Sequence, residues 1–242
     1  MSKSTGRKKA LLFDLDGTLL PMDREEFVRA YLPEIAASGS ALGDPRMIAD
    51  SILKASYRMA TSVDSGRTLE QVFWESFEGL SGITRLSSEA IFNEYYQSSA
   101  FDRLQTLTPA EPLVPEIMDA AKCTGLRLIL ATSPMFPRVA IEKRIQWAGL
   151  RPGDFEHITT YEQYHAAKPH RLYFEEILGN LGLEASQCVM IGNDAREDLP
   201  APVAMGMETF LLLDHAIIPD GLEYSCDRKG RYADLLEYLR SL

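Results

Sequence analysis

Disulfide chemistry has little to work with in this chain. Its 242 residues include three cysteines, Cys123, Cys188 and Cys226, and no two stand close together. An odd, sparse count excludes a disulfide framework and suits a reducing compartment. Histidine is scarce too: His157, His165, His170 and His215 are scattered and lack the close spacing with cysteine that a zinc site needs. No apolar run approaches the roughly 18–20 residues that cross a bilayer. Positive charge is also short, with 25 Lys and Arg against 35 Asp and Glu and a net charge of −10. That excludes broad nucleic-acid binding driven by phosphate contacts. The stretch MSKSTGRKKA (1–10) is basic, but the apolar segment after it is short and breaks into aspartates, a poor signal peptide. The expectation is a cytoplasmic protein with no membrane or nucleic-acid partner. Its 45% hydrophobic residues suffice for a sizeable core in one large or two modest domains.

What is there changes texture along the chain. Residues 10–13 form an apolar run of strand length. From about 23 to 107 the pattern is helical. Asp44-Pro45 is a helix start, with Asp as N-cap and Pro at the first helical position. Thr68 with Gln71 makes a capping box ahead of Val72, Phe73 and Phe77. Gly39, Gly43, Gly66, Gly79 and Gly82 are expected at helix ends. Beyond 108, strands expected at 126–132, 155–160, 188–192 and 208–213 alternate with helices at 137–148, 171–181 and 196–205, and a C-terminal helix follows. Strands alternating with helices predict a doubly wound parallel sheet covered on both faces, α/β in class, with an inserted all-helical segment.

In such sheets ligands bind beyond the carboxyl ends of the strands. Those ends carry one consistent chemistry here. The first delivers Asp14 and Asp16, the second Thr132 and Ser133. Lys168 follows the third, and Asn193, Asp194 and Asp198 follow the fourth. Crowded carboxylates do not all stay ionised without compensation. Oxygen donors without His or Cys suit a hard divalent ion, Mg²⁺ above all. A lysine and a threonine hydroxyl beside it suit the oxygens of a phosphoryl group. One aspartate can attack phosphorus, and a second can move the protons.

These residues carry a resemblance. FDLDGTLL (13–20) resembles the first motif of the haloacid dehalogenase-like (HAD) superfamily, and LILATS (128–133) its second. Lys168-Pro169 resembles the third motif, and IGNDAREDLPAPVAMGM (191–207) the fourth. The resemblance implies a Rossmann-like core with a helical C1 cap domain: core at 1–20 and 108–242, cap at 21–107. It implies Asp14 as nucleophile and metal ligand, and Asp16 as general acid/base whose carbonyl touches Mg²⁺. Thr132, Ser133 and Lys168 would bind the substrate's phosphoryl group. Asp194 would ligate the metal, with Asp198 close behind.

Asp16 narrows the reaction. Dehalogenases of this superfamily lack the second aspartate, because carbon–halogen cleavage needs no acid at a leaving oxygen. The pattern implies a Mg²⁺-dependent phosphatase acting on a small phosphorylated metabolite through an aspartyl-phosphate. A phosphomutase of the β-phosphoglucomutase kind and a catalytically idle binding module are the alternatives. Arg24, Lys54 and Arg58 are candidates for a second anionic group on the substrate. Phe73, Trp74 and Phe77 read as cap core or as a substrate-stacking wall, and His170 as a helix-start residue or a contact to the leaving group.

Overall fold

The apolar runs expected to be strands pair with one another, all in parallel. The structure is a computed structural model and describes residues 7–242. The first six residues of the basic stretch, and with them the start of the segment expected at 1–20, lie outside the described residues. The strands are β1 (Ala10–Phe13), β2 (Arg127–Leu130), β3 (His157–Ile158), β4 (Cys188–Gly192), β5 (Glu208–Leu212) and β6 (Arg228–Gly230). They form one sheet in the order β3-β2-β1-β4-β5-β6. β1 is central, with Phe13 level with Leu130 on one side and Ile191 on the other. That register brings the carboxyl ends of β1, β2 and β4 to one edge, where the strand order reverses.

The first five helices after β1 belong to the inserted segment: α1 (Arg24–Ser38), α2 (Pro45–Ala60), α3 (Leu69–Ser81), α4 (Arg85–Gln97) and α5 (Ser99–Arg103). Then come α6 (Val114–Cys123), α7 (Arg138–Trp147), α8 (Arg171–Leu181), α9 (Pro200–Met205) and α10 (Tyr232–Arg240). Alternate residues of β1 feed two cores. Leu11 and Phe13 pack with Ile117, Ile141 and Leu235, whereas Ala10 and Leu12 pack with Tyr173, Ile177 and Met190. Each fully buried leucine here contributes about 1.5–3 kcal/mol. Both faces of the sheet are thus covered, as its near-continuous apolar strands require. Among the described residues no helix is long and apolar enough to cross a membrane.

The inserted helices carry the expected caps. Asp44 accepts from the Arg46 amide, with Pro45 first in α2. Thr68 and Gln71 close a reciprocal capping box on α3. The same helix start is tied to the loop after β3, because the Leu69 and Glu70 amides donate to the Tyr164 and Tyr161 carbonyls at 2.7 and 2.9 Å. Three local expectations need correction. Gly79 lies inside α3 and does not end it. The helix expected from 196 begins at Pro200, because residues 194–198 form a turn closed by the Asp198 amide on the Asp194 carbonyl. β6 was not expected, since Arg-Lys-Gly at an exposed sheet edge shows no apolar alternation.

Thr68→Ala removes one half of the capping box. We expect a loss of about 1 kcal/mol of stability, read as a lowered midpoint in urea unfolding; an unchanged midpoint would contradict the assigned cap.

Candidate active site

β1 does not stop at Phe13. The Asp14 amide still donates to the Ile191 carbonyl at 2.9 Å, one step beyond the paired register. The chain then turns around the fully buried Leu15, and the Leu19 and Leu20 amides return to the Leu15 carbonyl. Gly17 makes the turn at φ +83°, and a Cβ there would fall 2.1 Å from Asn193 Nδ2. Glycine is thus required twice, for its backbone conformation and for the close approach of Asn193. The turn leaves both Asp14 and Asp16 on the wall of a single cavity.

Lys168 organises what surrounds Asp14. Its Nζ lies 2.6 Å from Asp14 Oδ1 and 2.7 Å from Asp198 Oδ1, and all three side chains are buried. Asp198 Oδ2 accepts the Asp194 amide at 2.9 Å. The Asp198 carboxylate fits there because β4 ends in glycine: a Cβ on Gly192 would sit 2.2 Å from Asp198 Oδ2. The Thr18 hydroxyl stands 3.2 Å from both Asp14 Oδ2 and Asn193 Oδ1. Thr132, 2% exposed, is held from behind, its carbonyl accepting from Thr159 Oγ1 at 2.6 Å and Tyr173 OH at 2.9 Å. The Ser133 hydroxyl donates to Glu197 Oε2 at 3.1 Å. Asp14, Asp16, Thr132, Ser133, Lys168, Asp194 and Asp198 all line this cavity of about 70 Å³, whereas His170 is the N-cap of α8 and is not on its wall.

Charge in the cavity is unbalanced. Burial pushes the Asp14 carboxyl up to about 7; Lys168 pulls it back, while the charges of Asp198 and Asp16 push it further. Burial raises Asp198 too, against the pull of Lys168. For Lys168 burial acts downward, but the charges of Asp14 and Asp198 outweigh it and hold the ammonium well above its ordinary value. One buried cation thus faces more acid than it neutralises. That shortfall, with an all-oxygen donor set, fits a hard divalent ion. Among the described residues no three carboxylate, imidazole or thiol groups converge as a ready-made cage. Asp194 instead spends its oxygens on Arg196, accepting from Nη2 at 2.7 Å and Nε at 3.1 Å.

Three site residues escaped sequence reasoning. Arg144 on α7, 1% exposed, places Nη1 2.5 Å from Asp16 Oδ2, and its guanidinium lies 4.3 Å from the Phe136 ring centroid. The signal existed: Arg144 shares the apolar face of α7 with Ala140, Ile141 and Ile145, where a charge is out of place. Glu197 bridges Ser133 to Arg24, whose Nη1 is 2.7 Å away. Arg196 is the third. Of the candidate anion-binding cations, Arg24 lines the cavity, whereas Lys54 is exposed and paired with Asp50 and neither Lys54 nor Arg58 is on its wall.

Comparison with known proteins identifies the family and the fold. Residues 8–206 match the family model described as haloacid dehalogenase-like hydrolase. The comparison with curated proteins gives no match. Among solved structures, a HAD phosphatase from Thermococcus onnurineus is 20% identical, covers 96% of this chain and 97% of its own, and gives a TM-score of 0.60. The L-2-haloacid dehalogenase RSc1362 is 17% identical over 97% and 99%, with a TM-score of 0.58. YfnB from Bacillus subtilis, bound to magnesium, is 18% identical over 98% and 100%, with a TM-score of 0.55. At these identities the likeness is one of fold.

Two predictions follow from the electrostatics. The folded protein raises Asp14 from 3.8 to about 7. Between those values Asp14 binds more protons folded than unfolded, so its contribution to metal-free stability falls as pH rises. Calorimetry in chelator should therefore find Asp14→Asn gaining on wild type from about pH 4 to about pH 8; a gain that shrinks with pH would refute the shift. Asp16→Ala leaves the buried Arg144 guanidinium without its carboxylate and should cost about 2 kcal/mol. Adding Arg144→Met should recover most of that loss, as judged by chemical unfolding of the single and double variants.

Proposed function

The chain belongs to the haloacid dehalogenase-like hydrolases, and we propose that within this family it is a Mg²⁺-dependent phosphatase acting on a small phosphomonoester. The observation that carries the reading is the pair of aspartates on one cavity, with different partners: Asp14 against Lys168, Asp16 against Arg144. Lys168 beside Asp14 favours the ionised form that attacks, and Asp16 carries a proton once Arg144 releases it. Residues 1–20 and 108–242 act as the core, and residues 21–107 as a helical cap that closes over the site and excludes water. A reducing, cytoplasmic setting accords with the sparse cysteines.

In this reading Lys168 and Thr132 hold two phosphoryl oxygens, and Ser133 borders the same group. An Asp14 oxygen attacks phosphorus, forming an aspartyl-phosphate as the bond to the leaving oxygen breaks. Asp16 gives its proton to that oxygen. It then takes a proton from water, whose oxygen attacks the same phosphorus and frees Asp14 and inorganic phosphate. Asp14, the Asp16 carbonyl and Asp194 would hold Mg²⁺, with Asp198 behind them. When bound, the ion supplies positive charge against the carboxylates and the phosphoryl oxygens. Holding it requires Arg196 to release Asp194.

Lys168 has a second task. By keeping Asp198 in place it fixes the Asp194 amide through the Asp198 carboxylate, and so sets where Asp194 begins its turn. The dehalogenase chemistry of some relatives has no use for a proton carrier at the position of Asp16.

We expect phosphate release from phosphomonoesters with Mg²⁺, suppressed by chelator, and no halide release from 2-chloropropionate. Asp14→Asn should lower turnover at least about 10³-fold with an unchanged circular-dichroism spectrum; retained activity would remove Asp14 as nucleophile. Sustained, stoichiometric phosphate release from a single monoester would also count against a mutase.

A further inference from the structure

A second cavity, of about 180 Å³, adjoins the acid site and shares Arg24, Val28, Met135 and Phe136 with it. It lies between α1, α2, α3 and α4 and the segment after β2. Its walls are aromatic and aliphatic, with Tyr31, Ile52, Trp74, Phe92, Phe136 and Tyr161 among them. Among the described residues that line it, Arg24 alone is charged. Arg24 belongs to the shared end, where its guanidinium holds Glu197. The Tyr31 and Tyr96 hydroxyls bond each other at 2.5 Å. That leaves Ser56, Asn93, the Trp74 indole N–H and the Tyr161 hydroxyl as the side-chain hydrogen-bonding groups of an otherwise apolar wall.

The chemistry of these walls selects a leaving group. A carboxylate or second phosphate entering here would lose its water and meet no free cation. A polyol would bring several hydroxyls to a surface with few partners, and each unpaired one opposes binding. A flat apolar group suffers neither cost and gains contact with the aromatic faces. Size agrees, because an apolar cavity of about 150 Å³ is known to hold benzene. Of the stacking candidates in the sequence, Phe73 and Trp74 line the cavity, whereas Phe77 is fully buried in the helical core.

We infer that this cavity receives the leaving group, and that the preferred substrate is a phosphomonoester of an alcohol bearing one uncharged aromatic ring. The inference rests on the proposed phosphatase reading for the place of the phosphoryl group. The P–O bond to the alcohol breaks, Asp16 supplies the proton that the departing oxygen takes, and water supplies the oxygen that completes the phosphate. Phe136 lines both cavities together with Arg24, Val28 and Met135, so the ring and the phosphoryl group occupy adjoining spaces with a common lining.

Non-hydrolysable probes separate binding from chemistry. With the full chain and Mg²⁺, titration calorimetry should find benzylphosphonate binding at least tenfold tighter than methylphosphonate and phosphonoacetate. Equal affinities, or tighter phosphonoacetate, would overturn the inference. Ser56→Trp places bulk in the cavity and should bring the benzyl-to-methyl ratio toward one; a folded variant that keeps the tenfold ratio would overturn it too. Should that variant fail to fold, the wild-type ratio decides. Phosphate release from benzyl phosphate is the separate arm. Ring preference in binding without any phosphate release would defeat the phosphatase reading alone. Release from benzyl, methyl and carboxymethyl phosphates at equal kcat/KM would defeat the ring preference alone.

Discussion

A single buried ammonium holds the acid edge of this sheet together. Parallel strands all end in the same direction, so the carboxylates that follow β1 and β4 are brought toward each other by topology. Lys168 arrives from the loop after β3 and bonds to Asp14 and Asp198 at once. Breaking a buried pair of this kind costs about 3–5 kcal/mol, because the abandoned charge has no water to turn to. The same contact orders the backbone: Asp198, held by Lys168, accepts the Asp194 amide and closes the turn that precedes α9. Charge pairing and backbone order are coupled through one nitrogen atom.

The two aspartates that follow β1 show how environment distinguishes identical side chains. Asp14 is enclosed and faces a lysine that already serves another carboxylate. Asp16, with 27% of its side chain exposed, faces an arginine that stacks on Phe136. Phe136 in turn borders both the acid cavity and the apolar one. A charged site and a greasy site therefore share a wall, and the guanidinium lies against it. An arginine suits this position better than a lysine, since its planar, weakly hydrated cation tolerates an aromatic face.

Much of this was legible in the chain. The strands β1, β2, β4 and β5 announce themselves as apolar runs, and the helix starts at Pro45 and Leu69 carry their caps in the sequence. The site aspartates could be read because strand ends collect on one edge, whatever the loops do. Arg144 could not be placed so easily, because its partner Asp16 is 128 positions away. Only its intrusion into an apolar helical stripe marked it. The Arg24–Glu197 contact spans 173 positions and leaves no local trace. β6 was hidden for the opposite reason: an exposed edge strand needs no apolar alternation, so Arg228 and Lys229 look like loop.

The fit of the Asp198 carboxylate into the space beside Gly192 also constrains how this chain could change over evolutionary time. Any residue other than glycine at the end of β4 would occupy the volume that the carboxylate fills. The two positions are therefore not independent. A descendant that gained a side chain at 192 would have to give up, or relocate, the acid at 198, and Lys168 would lose one of its two anions in the same event. A change at 192 meets a steric collision and a change at 198 an electrostatic imbalance, so each position limits what the other can become.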